Sequence, residues 1–147
     1  MKKIFGYTSL NTDLAALFLR LIVGGLFFAH YGYQKITSYD EILPVFGDII
    51  GIGSKLSFNL VIFAEFFCAF FVLIGFLTRL TVIPIFITMA VALFIAHAKD
   101  VFDVKALAFI FLLLSIVVFV LGSGRFSIDR LLFKNKNEKN NFGNGSQ

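Results

Sequence analysis

Four ionisable side chains, Arg20, His30, Glu65 and His97, fall within otherwise apolar stretches of this 147-residue chain. An ionisable group is costly to place in hydrocarbon, so each is a candidate for function by default. A carboxylate beside imidazoles exchanges protons, and reducing a flat ring such as a quinone consumes protons along with electrons. Glu65, His30 and His97 are therefore the candidate catalytic residues. Around His30, the residues Arg20, Gly24, Phe27, Tyr31 and Gln34 recur at helical spacing and form one stripe. Within it Arg20, Phe27, Tyr31 and Gln34 are the candidate cofactor contacts, with quinone as the cofactor they suit. Each residue also has a plainer use. Arg20 can snorkel or join Glu65 in an ion pair that fixes helix register, and the histidines can serve as solvated or capping groups.

His30, Glu65 and His97 also have the make-up of a two-histidine, one-carboxylate metal site, and two histidines on neighbouring helices can hold haem. One histidine per helix with no further spacing is a weak signal. Haem and metal thus fit less well than quinone, and no metal site is assigned. Cys68 is the only cysteine, which excludes an internal disulfide or a dithiol centre.

The elements that must position these groups are long and oily. The composition is 59% hydrophobic, with a mean hydropathy of +0.90. A chain of this length cannot hide so much apolar surface in its own core, whereas a bilayer can. Four stretches, about 14–33, 58–76, 80–98 and 104–122, are close to the length of a membrane span. Their uninterrupted apolar character is not the alternation of a barrel, despite the 21 phenylalanines. The expected fold is an all-α membrane protein, a four-helix transmembrane bundle with its lipid bilayer as the first partner.

Lys2, Lys3, Arg79, Arg125, Arg130, Lys134, Lys136 and Lys139 share one side, against Lys35, Lys55, Lys99 and Lys105 on the other. By the positive-inside rule both termini face the cytoplasm. The basic residues lie at helix ends and in the tail, not on a folded basic face, so the net charge of +4 does not indicate nucleic-acid binding. Residues 1–13 read as a cytoplasmic N-terminal segment without a cleavage site, and 35–57 as an outer interfacial loop with a short amphipathic helix broken at Pro44. The folded domain is 14–133, and 134–147 has too little apolar surface to fold.

LRLIVGGLFFAHYGYQKI from Leu19, the Glu65 span ending in LIGFLTR at Arg79, the third span ending at His97, and GSGRFSID from Gly122 resemble the DoxX family of small bacterial membrane proteins. The resemblance runs from about Leu14 to Leu132. In it, Arg20, Gly24, His30, Gly32, Lys35, Glu65, Gly75, His97, Arg125 and Asp129 match the family pattern. It implies a four-helix bundle in the bacterial cytoplasmic membrane and an association with redox physiology, since the related DoxD proteins are subunits of a thiosulfate:quinone oxidoreductase. The expectation is a quinone-linked or oxidoreductase-associated membrane subunit whose electrons come through a redox partner protein. The rival readings are a non-catalytic anchor or assembly factor for such a partner and, below it, a small-molecule carrier. Self-association is left open, as is whether the chain is itself an enzyme.

Overall fold

The computed structural model describes residues 11–132, so the expectations for 1–10 and for the tail 134–147 lie outside the described residues. Four helices among them are long and apolar enough to cross a membrane: α1 (Thr12–Thr37), α2 (Ser54–Ile74), α3 (Thr78–Ala96) and α4 (Phe102–Leu121). Each packs on the next and α4 returns to α1, giving an up-down ring of four. The four-helix membrane reading of the sequence holds. Val23 and Phe27 of α1, Val72 of α2, Ile85 of α3 and Val118 of α4 meet on the axis. Large apolar residues such as Leu80, Phe94 and Val120 face outward and are 63%, 67% and 66% exposed. Such a surface belongs in lipid.

The helix boundaries differ from the expected spans because polar residues, not the apolar runs, set the ends. Asn11 caps α1, its side chain accepting from the backbone of Asp13 at 3.1 Å and of Leu14 at 3.4 Å. At the other end α1 continues through Lys35 to Thr37, so Lys35 is a helical residue and not part of the loop. Gly75, at φ 74°, closes α2 with the left-handed turn that a side chain disfavours, and Phe76 donates back to the Phe71 carbonyl at 2.9 Å. Pro84 lies inside α3, where it cannot donate to the preceding turn, and Thr88 Oγ1 donates to its carbonyl at 2.9 Å.

Three helices are not regular throughout. Phe27–Gly32 in α1, Phe63–Cys68 in α2 and Ala92–Ala96 in α3 each form a wide π-helical turn, bonded five residues back instead of four. The α1 and α2 turns pack against each other. Gly32 permits this, because a Cβ there would stand 2.5 Å from the Glu65 carbonyl oxygen and 2.8 Å from Phe66 Cα.

The end of the bundle holding Thr37, Ser54 and Ala96 is called the loop end, and the opposite one the turn end. At the loop end a short helix, Tyr39–Ile42, is followed by a fold-back onto α2. The Tyr39 and Phe46 rings pack on Phe58, at 5.3 and 4.9 Å between centroids, and Tyr39 donates to Asn59 at 3.0 Å. At the turn end, residues 122–132 run back beneath the helices. Asp129 accepts from Leu77 N–H at 2.9 Å and donates its own N–H to the Gly75 carbonyl at 3.2 Å. Arg125 N–H donates to Asp13 at 2.9 Å. The exit motif read from the sequence is thus a strap holding the α2–α3 turn and the start of α1.

Candidate functional site

Glu65 sits in the wide turn of α2 and is 4% exposed. A buried carboxylate needs a counter-charge or donors, and the ammonium of Lys35, reaching across from α1, supplies both. Lys35 Nζ also lies 5.6 Å from the centroid of the Tyr31 ring, placing the cation near an aromatic face.

Two cavities adjoin Glu65. The larger, about 290 Å³, lies between α2 and α3 beneath Phe46, Ile49 and Ile50 of the first loop, with Lys35, Ser57 and His97 in its walls. The smaller inner cavity, about 150 Å³, lies among all four helices, opens past Val104 and Leu107 of α4, and is lined by Phe27, Tyr31 and Phe111 among others. Glu65, Met89, Ala92 and His97 line both, so the carboxylate and the imidazole belong to the partition between them. Most of the remaining lining is apolar or aromatic. Ser57 is 5% exposed, and its Oγ has no hydrogen-bond partner among the described residues.

His97 ends α3, its N–H donating to the Ala92 carbonyl at 2.9 Å to close the wide turn. Its Nδ1 is 2.6 Å from Asp100 Oδ2.

The geometry brings together two of the three proposed catalytic residues, Glu65 and His97. His30 does not join them: it is exposed on the outer face of α1, lines neither cavity, and its ring stands edge-on to Tyr31 at 4.9 Å. The set of two histidines and a carboxylate is therefore not assembled. Of the proposed cofactor contacts, Phe27 and Tyr31 line the inner cavity, while Gln34 is exposed.

Arg20 belongs elsewhere. It is 1% exposed, and its guanidinium donates to the Phe126 carbonyl at the turn end, against Gly75 and the 122–132 strap. It fastens that strap rather than supporting the Glu65 cavities. Nε and Nη1 of Arg20 have no acceptor among the described residues.

The residues missed by spacing alone are Lys35 and Ser57. In a straight helix Gln34 and Lys35 both neighbour Tyr31, at i+3 and i+4, and Gln34 is the one that continues the stripe from Arg20 and Phe27. The wide turn at Phe27–Gly32 takes in an extra residue, so the inward position falls on Lys35 instead.

A family model described as DoxX matches residues 15–98, more than half of the chain. The chain belongs to the DoxX family. With its four apolar helices, this makes it a multi-pass membrane protein. The DoxX match contains Lys35, Glu65 and His97, and also Arg20. No curated protein and no solved structure matches the chain.

Proposed function

We propose that this DoxX-family chain is a quinone-linked membrane subunit of an oxidoreductase in a bacterial cytoplasmic membrane, with both termini on the cytoplasmic side. The observation that carries the reading is the buried Glu65, paired with a half-buried Lys35, in the partition between two largely apolar cavities. An ion pair that only fixed helix register would need no space beside it. Here the carboxylate, an ammonium and an imidazole all border room for a flat ring and part of its tail.

The residues fit a quinone. Apolar and aromatic side chains surround its ring, Lys35 and Ser57 offer hydrogen-bond donors to a carbonyl oxygen, and Glu65 and His97 hold and pass protons. A bound quinone supplies the two-electron chemistry, and a redox partner protein exchanges those electrons. The cavity between α2 and α3 is bordered by exposed Leu60 and Ile87, so an isoprenoid-tailed molecule reaches it from the lipid without crossing water.

The test is equilibrium binding of a decyl-tailed benzoquinone to the full chain in lipid nanodiscs, with empty nanodiscs as reference. Glu65→Gln and Lys35→Met are each expected to weaken binding by about tenfold, the worth of one charge-assisted contact. His30→Gln is expected to leave it unchanged. Wild-type affinity in both Glu65→Gln and Lys35→Met would show the pair to be scaffolding and favour the anchoring role.

A further inference from the structure

The His97–Asp100 contact decides which face of the imidazole does chemistry. Asp100 is exposed and, as a carboxylate, only accepts hydrogen bonds, so Nδ1 at 2.6 Å must carry a proton to donate to it. That holds whether the ring is neutral or cationic. In the neutral ring Nε2 is then the nitrogen without a proton, an acceptor on a residue that lines both cavities. The charged groups arranged around it are Glu65 on α2, Lys35 on α1, Asp100 itself, and Lys105 on α4, whose Nζ donates to the Ala98 carbonyl at 3.4 Å.

We propose that Asp100 is a positioning residue that holds His97 with Nε2 as a hydrogen-bond acceptor toward the Glu65 cavities, so that His97 takes the proton of a ring hydroxyl and the site prefers a hydroquinone to its quinone. This rests on the functional reading above. In the step, the hydroxyl O–H bond breaks, the proton moves to Nε2 to give an imidazolium, and the electron pair stays on the ring oxygen near the Lys35 ammonium. A quinone, having only carbonyl oxygens, offers Nε2 no proton, which is the origin of the preference.

The test uses the full chain with ¹⁵N-labelled histidine in nanodiscs. His30→Gln leaves His97 as the only histidine. Nitrogen chemical shifts of the neutral ring report the tautomer, and decyl-tailed benzoquinone and its hydroquinone are the binding probes. With Asp100 or with Asp100→Glu, Nδ1 is expected to be protonated and Nε2 bare. Asp100→Ala should move the proton to Nε2 and weaken hydroquinone binding by about tenfold, the worth of one hydrogen bond, without weakening quinone binding. An unchanged tautomer in Asp100→Ala overturns the positioning role. A changed tautomer with an unchanged hydroquinone preference overturns the base role. If the wild type binds neither ring, the functional reading falls together with the preference.

Discussion

At the scale of single residues, the Glu65–Lys35 pair is where burial and charge are most finely balanced. Lys35→Met leaves a carboxylate among apolar side chains and is expected to destabilise the bundle by about 3 kcal/mol. Adding Glu65→Leu should recover most of that loss, since replacing both ions removes the uncompensated charge. Unfolding of the single and double variants in mixed detergent micelles measures the cycle, and a double variant no more stable than Lys35→Met would contradict it. Glu65 and His97 were legible in the sequence because an ionisable residue in an apolar run announces itself. Lys35 matches the family pattern but lies where the apolar run has already ended, so hydropathy does not mark it as a buried ion. Ser57 carried no signal, since a serine near the start of a span is common and only the fold buries its hydroxyl.

At the scale of elements, hydropathy located all four helices, while their ends depended on side-chain and glycine chemistry that an apolar run does not contain. Asn11 starts α1 before its first leucine, and Gly75 stops α2 before the apolar residues give out. The wide turns have no sequence signature, because the aromatic, glycine and ionisable residues of FFAHYG and FAEFFC also occur in regular membrane helices. Their packing depends on Gly32. Gly32→Ala must drive α1 from α2 and is expected to lower stability by about 2 kcal/mol, as overpacking does in a close-fitting interior. Gly25→Ala is the control, since its added methyl would meet only the Leu73 side chain at 3.8 Å, an ordinary contact. Both variants have the same change in helix propensity, so a difference in thermal midpoint isolates the crowding.

At the scale of the whole molecule, the two ends do different work. The turn end is tied down by the 122–132 strap through Arg20, Leu77 and Asp13, and the loop end holds the cavities. GSGRFSID and Arg20 each stand out in the sequence, but their meeting does not, because it joins residues more than 100 positions apart. Topology is the remaining prediction at this scale. Because the sequence assigns eight lysines and arginines to the side of the termini against four to the other, a cysteine placed at Asp48 should react with a membrane-impermeant maleimide applied outside intact spheroplasts, and one placed at Arg130 only after lysis. Cys68 is buried, so it contributes little background. The opposite labelling pattern would invert the proposed orientation.

The wide turn in α1 also bears on how this chain should be aligned with others. A helix that bulges to take in one residue leaves everything beyond the bulge in place, as though the residue had been inserted and absorbed. A relative with one residue fewer between its arginine and its lysine would then have a straight first helix and still set the lysine against the glutamate. Deleting Ala29, which is exposed, imitates that relative and should spare the proposed quinone binding, measured in the same nanodiscs. Pairing residues by position in space, and not by counting along the chain, is the way to find the same site where the numbering slips.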